Sequence, residues 1–475
     1  MADDALWHEV EAYVDEVWED VVADIRMLVK VRSVEDLSQA SEGAPWGPGP
    51  RASLSRALAI AGRLGLATTD VDGYIGFGDL PGADERYLAT IAHSDVVPEG
   101  LGWTVSPFDV TRRDGFLMGR GVLDDKGPLV LSLYAAHFFV RQVARTGERL
   151  PYTLRCLIGA EEETSMGDLA HYLAHYPAPL FAFTPDADFP LICGEKGVFE
   201  GRFTSGDILG TPDSRIVTMD GGTVSNAICG LATATVRADA GTLPVAEGID
   251  AEPAGDGLAT LTAHGRGGHA SLPEGTVNAI GMLASYLLGS DVCSAAERAF
   301  LELERLLCAS GHDGAALGIA SSNDRFGALT LVGGTIHTEG ARLVQSCDAR
   351  YPDATTHEAI AQALCQAARE HGATFEPIQV KEPFYTDPSS PEVTCLLTTY
   401  DELTGGRSEA FVIGGGTYAR MFPRACAFGP HEPAEDVPAW VGPEHGPDEA
   451  VSEESLRRAL EIYIVSIARL MRIEY

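Results

Sequence analysis

The hydrophobic positions in the first part of the chain alternate between helical and strand spacing. Residues 3–31 place apolar side chains three and four apart with acids on the opposite face, which predicts a surface helix packed on a core. The Gly/Pro-rich stretch 43–50 predicts a loop, and residues 53–64 predict a second helix. Further elements are predicted as helices at 129–143 and 167–176 and as strands at 87–92, 154–159 and 180–184. Strands and helices in turn indicate a largely parallel sheet covered by helices.

The pattern changes after residue 196. The next segments are Thr- and Gly-rich and of strand type, at 198–204, 231–238, 258–264, 328–335 and 341–350, with helix patterns at 276–288 and 356–371. The first pattern then returns, with a helix around 391–403 and a final helix at 451–472. We therefore predict an α/β fold. One domain, residues 1–196 and 384–475, has a mixed, mostly parallel sheet covered by helices and is interrupted by an inserted α+β domain at 197–383.

The charge of the chain argues against two classes of partner. Among 475 residues, 34 are Lys or Arg and 69 are Asp or Glu, so the formal net charge is −35. A surface this acidic repels phosphate groups, which predicts no binding to nucleic acid and none to anionic membranes. No run approaches the ~18 consecutive apolar residues of a membrane-spanning helix.

The cysteines and the first residues bear on the compartment. The nine cysteines are scattered, odd in number and without a CxxC pair, which indicates reduced thiols rather than a disulfide framework. The first residues are acidic and amphipathic, whereas a secretion signal has a basic start followed by a continuous apolar stretch. We therefore expect a cytoplasmic protein.

A histidine and an aspartate follow the first predicted strand. His93 and Asp95 are two apart, and side chains at this spacing on an extended segment point the same way. His93 can therefore face a metal while Asp95 orients its imidazole. The alternative is a His–Asp pair that only caps a loop. The position itself, at the carboxyl end of a strand, is where open α/β sheets bind ligands.

Two acidic segments add candidate ligands. GRGVLDDKGP at 119–128 places Asp124 in a glycine-rich turn, and its acids would repel the phosphate that such a loop otherwise binds. GAEEETS at 159–165 puts three glutamates at a strand end, where one can bind a metal while its neighbour shuttles a proton to and from metal-bound water. The alternatives are solvated acidic loops and, for Glu161, an acidic helix start.

Two Pro-flanked turns complete the candidate set. TPDADFP at 184–190 carries Asp186 after the third strand, and GPEHGPDE at 442–449 carries His445 ahead of the last helix. Nitrogen and carboxylate ligands without thiolates suit a catalytic zinc pair, for which cobalt or manganese are chemical substitutes.

These motifs, in this order, resemble those of the ArgE/DapE/aminoacylase/carnosinase family of co-catalytic zinc hydrolases. The stretch IGGGTYARMFP…AFGP and the long insertion are similar to the PepV-type dipeptidases of that family. The resemblance covers essentially the whole chain. It implies that the interrupted α/β domain is catalytic and that the insertion is a substrate-binding lid.

The resemblance also implies roles for individual motif residues. The metal ligands would be His93 and Asp186 for one zinc, Glu163 and His445 for the other, and Asp124 as the bridge between them. Asp95 would support His93. Glu162 would act as general base and then as general acid, and the peptide bond between Asp124 and Asp125 would be cis.

The insertion carries the residues that the resemblance assigns to the substrate. His269 in GHASLP would polarise the scissile carbonyl. Asn226 and Arg350 would hold a free carboxylate of the substrate, Arg350 through its guanidinium fork. The backbone N–H groups of Gly415 and Gly416 would approach that carboxylate closely.

Three other histidines are interpreted as structural. His171 and His175 are four apart on a predicted helix, but the Glu of an HExxH motif is absent, since Tyr172 follows His171. His264 lies close to the GHASLP motif but outside it. We interpret all three as surface or packing residues.

The function implied is hydrolysis of short peptides, most of all dipeptides, by a metallo-dipeptidase. Two readings compete with it. One is an N-acyl-amino-acid deacylase or desuccinylase of the same family. Recognition of a free amino terminus, for which Asp188 is the candidate, would distinguish a dipeptidase from it. The other is an inactive binding homologue, against which the retention of Glu162, Glu163 and every ligand counts. The length of the insertion resembles that of monomeric dipeptidases, so a monomer is expected.

Overall fold

The computed structural model describes residues 2–433 and 436–475. Its helices are α1 Ala2–Val29, α2 Pro48–Arg63, α3 Lys126–Thr146, α4 Gly167–His175, α5 Ala279–Gly289, α6 Ala295–Cys308, α7 His357–Glu370, α8 Pro391–Thr404 and α9 Glu453–Leu470. Among the described residues, every helix is too short or too polar to span a bilayer.

The strands are given in chain order. The first are β1 Ala67–Val71, β2 Ile75–Leu80, β3 Asp84–His93, β4 Thr111–Arg113, β5 Phe116–Met118, β6 Tyr152–Gly159, β7 Phe181–Thr184, β8 Ala187–Asp188, β9 Ile192–Glu195, β10 Gly197–Ser205, β11 Ile216–Gly221, β12 Ala227–Ile228, β13 Leu231–Val236 and β14 Ile249–Gly255. The others are β15 Leu258–His264, β16 Gly268–His269, β17 Ser322–Asn323, β18 Gly327–Ala328, β19 Thr330–Val332, β20 Ile336–Glu339, β21 Arg342–Tyr351, β22 Ala373–Lys381, β23 Phe384–Tyr385, β24 Phe411–Ile413, β25 Ala425–Ala427, β26 Pro430–His431 and β27 Ala450–Ser452.

Contacts divide the chain into two compact units. Unit 1 comprises the residues up to Gly194, Tyr385–Phe411 and the described residues from Gly416 onward, and unit 2 comprises Glu195–Phe384 with Val412–Gly415. The sequence analysis placed residues 412–415 in the first domain. They group with unit 2 instead, where Arg350 donates a hydrogen bond to the carbonyl oxygen of Gly414 at 3.2 Å. The roles of catalytic domain and lid stay predictions.

Unit 1 is built on a mixed sheet with helices packed around it. The strand order is β1-β2-β6-β3-β7-β25-β9. The central strands β6, β3, β7 and β25 run parallel, whereas β1, β2 and β9 pair antiparallel with their neighbours. The last seven residues of β3 are all buried, as expected of a parallel strand covered on both faces. The predicted α/β class with a mixed sheet is confirmed, and its parallel part is the centre of the sheet.

Helix α2 begins earlier than the sequence pattern predicts. The helix starts at Pro48 rather than at 53, so the predicted loop at 43–50 is shorter than expected. Proline favours the first position of a helix because its fixed φ is already helical. Gly47, just before it, has a φ of 95°, which the glycine permits without strain.

Unit 2 is an α+β unit with an antiparallel sheet. The strand order is β14-β15-β13-β11-β20-β21-β10-β22, and β19 pairs with β21. Side chains of α5, α6 and α7 belong to the core cluster of this unit. The sequence pattern predicts α5 and α7 but not α6. Its signal was present, because Ser294 and Glu297 form a capping box ahead of an amphipathic run.

Candidate active site

The carboxyl ends of neighbouring parallel strands bring predicted ligands together. β3 ends at His93, which pairs in register with Gly159 at the end of β6. β7, on the other side of β3, ends two residues before Asp186. The loop after β6 carries Glu163. Parallel strands end at the same edge of a sheet, so these side chains reach one site from three different parts of the sequence.

An antiparallel strand pair supplies two further ligands. β5 and β27 pair with Met118 opposite Ala450. The chain that leaves β5 towards Asp124 therefore runs beside the chain that enters β27 from His445. The Asp124–Asp125 peptide bond is cis, as predicted.

The carboxylate of Asp124 lies between two imidazoles. Its Oδ1 is 3.0 Å from Nε2 of His93, and its Oδ2 is 2.8 Å from Nε2 of His445. Oε2 of Glu163 is 3.1 Å from the same nitrogen of His445, and Oδ2 of Asp186 is 3.7 Å from that of His93. The five residues predicted as metal ligands thus form one cluster with Asp124 at its centre.

The hydrogen bonding of His93 fits a cation at this cluster. Its Nδ1 lies 3.2 Å from the backbone oxygen of Asp95, so the ring proton belongs on Nδ1 and Nε2 carries a lone pair. Nε2 is buried and has no hydrogen-bond partner among the described residues, although it faces the carboxylate of Asp124. Two electron-pair donors that face each other in a buried site favour a cation at that position, and histidine with carboxylates is a zinc-type donor set.

The acids of the cluster are held away from water and close to one another. Burial raises the pKa of Glu162, Glu163 and Asp186, and neighbouring carboxylates raise each further. Several negative charges close together in a buried site are costly unless a cation neutralises them. The cluster as a whole therefore favours a bound metal, and two groups of its side chains, one with Asp186 and one with Asp124 and Glu163, have the spacing to hold an ion.

Glu162, the predicted proton acceptor, lies directly before Glu163 in the chain. It is not a member of either group of side chains with the spacing to hold an ion. Its Oε1 is buried and has no hydrogen-bond partner in the described part of the chain. Burial raises its pKa most, and the charges of His93 and Asp186 also act on it, so the carboxyl lies within electrostatic range of these two residues. A partly buried carboxyl with a raised pKa suits a group that takes up and returns a proton.

Asp95 contacts the backbone of Glu162 and Glu163 as well as His93, for which alone the sequence predicts a supporting role. Its carboxylate lies 3.4 Å from Nδ1 of His93, which is longer than the contact of the same nitrogen with the backbone oxygen of Asp95. The carboxylate instead accepts the backbone N–H groups of Glu162 and Glu163, each at 3.2 Å. Asp95 therefore orients the histidine mainly through its backbone and the glutamate loop through its side chain.

Sequence reasoning missed three residues of the site. Asp125 accepts the backbone N–H of His93 at 2.9 Å and belongs to a group with the spacing to hold a metal. Asp168 accepts the backbone N–H groups of Ala160 and Glu161 and the hydroxyl of Tyr418 at 2.7, 3.1 and 2.5 Å. The pair of acids in LDDKG was the available signal for Asp125, whereas no local pattern indicates Asp168 or Tyr418.

Two predicted substrate-binding residues of unit 2, Asn226 and His269, lie on neighbouring segments. β12 pairs with β16, so His269 lies opposite Ala227, the residue after Asn226. Ser271 donates its backbone N–H to Nδ1 of His269 at 3.2 Å, which leaves the ring proton on Nε2. In this tautomer Nε2 is a hydrogen-bond donor.

Arg350 and the glycine segment lie in the same part of unit 2. The guanidinium binds Asp348 through two hydrogen bonds of 2.7 Å and donates a third to the oxygen of Gly414, next to Gly415. Gly414 in turn packs so tightly on Ser271 that an added Cβ would come within 2.5 Å of that side chain. The hydrogen bonds to Asp348 and Gly414 thus hold the side chain of Arg350 in place with part of its guanidinium donors.

The structural histidines have local partners. His171 stacks on Tyr74 with ring centroids 4.0 Å apart, and Nδ1 of His175 lies 2.8 Å from the backbone oxygen of His171. His264 lies 2.9 Å from Asp250. None of them belongs to a metal-holding group among the described residues. Asp188, considered for a substrate amino group, lies 2.5 Å from His431.

Comparisons with known proteins identify the family and the fold. The sequence model of peptidase family M20/M25/M40 matches residues 89–469. A protein of Staphylococcus haemolyticus named "Putative dipeptidase" is 30% identical over 97% of this chain and 98% of its own length. Two solved structures share the fold at 12% identity. They are the dipeptidase Dug1p of Saccharomyces cerevisiae, with a TM-score of 0.61 and 99% of both chains covered, and human carnosine dipeptidase 1, with a TM-score of 0.60 and 98% and 100% covered.

Proposed function

This chain belongs to peptidase family M20/M25/M40, and from that premise we propose that it is a dipeptidase whose active site holds two zinc ions. The chain is a hydrolase that acts on peptide bonds, as its family is. The relative from Staphylococcus haemolyticus is named as a dipeptidase and is matched over nearly its whole length, which supports the narrower substrate class.

The observation that carries the proposal is the position of Asp124. One carboxylate oxygen faces His93 and the other faces His445, at 3.0 and 2.8 Å. A carboxylate that reaches two separate imidazoles is suited to bridge two cations. His93 and Asp186 would hold one zinc, with Asp125 beside them, and Glu163 and His445 would hold the other. When bound, the zinc pair supplies Lewis acidity that activates water and polarises the carbonyl.

Glu162 moves the proton. Glu162 directly precedes the predicted ligand Glu163, and burial raises its pKa, so it can accept a proton from the attacking water and later release it to the leaving amine. Asp95 holds the loop that carries Glu162 through two backbone hydrogen bonds. This restriction keeps the carboxyl in place through both transfers.

The residues of unit 2 bind and polarise the substrate. His269, with its ring proton on Nε2, donates to the oxygen of the scissile carbonyl as negative charge develops there. Arg350, fixed by Asp348, and Asn226 hold the free carboxylate of the dipeptide. The backbone N–H of Gly415 adds a donor to the same group. Recognition of a carboxylate next to the scissile bond would restrict the enzyme to peptides that end near that bond.

The compartment and the assembly are parts of the same proposal. All nine cysteines lie within the described residues and each is a free thiol, which supports a reducing compartment such as the cytoplasm. We propose a monomer that acts on short peptides, with neither nucleic acid nor membrane as a partner. Size-exclusion chromatography with light scattering measures the first point directly.

Metal analysis with a substrate panel tests the proposal. The panel contains free dipeptides (β-Ala-His, Ala-Ala and Leu-Gly), a tripeptide, and N-acetyl and N-succinyl amino acids, each with and without chelator. We expect two zinc ions per chain and chelator-sensitive cleavage confined to the free dipeptides. Cleavage of the acylated substrates instead would make the enzyme a deacylase, and absence of both metal and turnover would make it an inactive homologue.

A further inference from the structure

Glu449 is a buried carboxylate that binds the backbone of the loop carrying Asp124. Its side chain is fully buried. Its Oε1 accepts the backbone N–H groups of Gly121, Leu123 and Asp124 at 3.0, 3.0 and 3.3 Å. Its own backbone oxygen accepts the N–H of Gly119 at 2.9 Å. Four backbone N–H groups of the segment 119–124 therefore donate to this one residue.

The second oxygen of Glu449 is bound by a buried arginine. Oε2 lies 2.6 Å from Nη1 of Arg120, whose side chain is 1% exposed. The guanidinium also lies over the ring of Trp103, with 5.4 Å to the centroid. The carboxylate is thus neutralised by Arg120 and its lone pairs are used by backbone donors, so Glu449 acts on the loop and not as a further metal ligand.

The loop needs such a restraint because it contains two glycines, whose backbone is intrinsically free. Gly119 and Gly121 have φ of 154° and 94°, a region in which glycine is the residue that adopts the backbone freely. A glycine-rich segment has many conformations in the absence of tertiary contacts. Asp124, however, has to offer one oxygen to His93 and the other to His445, which requires a single backbone position.

Glu449 also belongs to the segment that carries the second histidine. It lies four residues after His445 and directly before β27, whose partner β5 leads into the loop of Asp124. The same residue therefore ties together the chain segments of two ligands that are far apart in sequence.

We propose that Glu449 is a positioning residue of the metal centre, which holds the Asp124 loop in its ligating conformation before any metal binds and keeps it in register with His445. The inference rests on the proposed function in one respect, namely that Asp124 and His445 ligate metal. Ligand positions that are held in advance cost less ordering on metal binding, so the affinity for zinc depends on Glu449.

Hydrogen exchange of the metal-free wild-type chain tests the first half of the proposal. Mass spectrometry of a peptide that covers 119–125 reports the amides of Gly121, Leu123 and Asp124. We expect these amides to be protected without zinc and to lose protection in Glu449→Gln. Free exchange in the metal-free wild type, with protection only after zinc is added, would overturn the proposal. The wild-type measurement alone can overturn the proposal, so the test does not depend on the folding of the variant.

Metal binding by the variant tests the second half. In Glu449→Gln the amide nitrogen must face either the backbone N–H groups or Arg120, both of which are donors. We expect zinc affinity measured by chelator competition to fall by ~10–100-fold for at least one of the two ions. The visible spectrum of the Co²⁺-substituted protein should change as well. Glu449→Asp, which keeps the charge, should recover part of the affinity.

A buried carboxylate of unit 2 provides the matched control. Glu297 is also fully buried and accepts the backbone N–H groups of Arg215, Ile216 and Ser294. Glu297→Gln should lower the melting temperature without any change in zinc affinity or Co²⁺ spectrum. Wild-type affinity and spectrum in Glu449→Gln would refute the positioning role, while a wild-type chain that binds no zinc would refute the proposed function itself.

Discussion

The carboxylate of Asp95 holds the backbone of Glu162. Its Oδ1 accepts the N–H of Glu162 at 3.2 Å, and its Oδ2 accepts the N–H of the next residue, Glu163, at the same distance. Asp95 is nearly fully buried, and both of its oxygens are used in this way. The residue thus sets the position of a predicted proton acceptor and of a predicted metal ligand together.

Replacement of Asp95 by asparagine should disturb this loop while the fold is kept. The amide of asparagine has one acceptor where the carboxylate has two, so one backbone N–H loses its partner and faces a donor. We expect Asp95→Asn to lower kcat by ~10–100-fold, as for other residues that orient a metal site. Steady-state kinetics at saturating zinc measure this. A kcat within twofold of the wild-type value would contradict the role.

Glu162 and Glu163 should separate proton transfer from metal binding. Glu162→Gln removes the proton acceptor but none of the predicted ligands, so we expect two bound zinc ions and a kcat lower by ~10²–10⁴-fold. Glu163→Gln, one residue away, should lose zinc as well as activity because Oε2 of Glu163 faces His445 at 3.1 Å. Elemental analysis of both variants decides the matter. Loss of zinc from Glu162→Gln would refute this division of roles.

Glu304 should make unit 2 less stable as the pH rises. Both of its oxygens are buried without a hydrogen-bond partner among the described residues, and burial raises its pKa well above the ordinary value of 4.5. The unfolded chain keeps the ordinary pKa and loses its proton first. The free energy of unfolding therefore decreases as the pH rises from that ordinary value towards the raised pKa of the folded chain.

The variant Glu304→Met tests this dependence. We expect it to increase the free energy of unfolding by ~1–3 kcal/mol at pH 8, because an unsatisfied buried polar group is removed, and by less at pH 5. Urea unfolding at the two pH values measures the difference. The control is Glu302→Met on the same helix, whose side chain is more exposed and pairs with Arg305. An equal effect of Glu304→Met at both pH values would be inconsistent with this account.

Arg350 should affect substrate binding more than the chemical step. Lysine keeps the positive charge but cannot form both hydrogen bonds to Asp348 while it also faces a carboxylate. We expect Arg350→Lys to raise KM for dipeptides by ~10–100-fold, the effect of losing a charged hydrogen bond, with a smaller change in kcat. Arg342→Lys, at an exposed ion pair with Asp207, is the control and should leave KM unchanged. An unchanged KM in Arg350→Lys would exclude the substrate contact.

Local sequence determined the regular elements and the identity of the candidate ligands. The periodic runs of α3 and α9 and the apolar run of β3 are visible without any structure, because helix and strand periodicity are properties of neighbouring residues. The family prediction followed from five short motifs and is confirmed. The capping box of α6 is an equally local signal, and the helix could have been predicted from it.

Tertiary structure alone decided what holds the ligands in place. Glu449 binds the backbone of Gly121, which is 328 positions away in sequence, and Asp168 binds the hydroxyl of Tyr418 across 250 positions. No periodicity or motif spacing encodes such pairs. They depend on which strands become neighbours and on which backbone N–H groups are left without a partner in the folded chain. The sequence therefore names the residues that can hold a metal, and the fold supplies the buried carboxylates that position them.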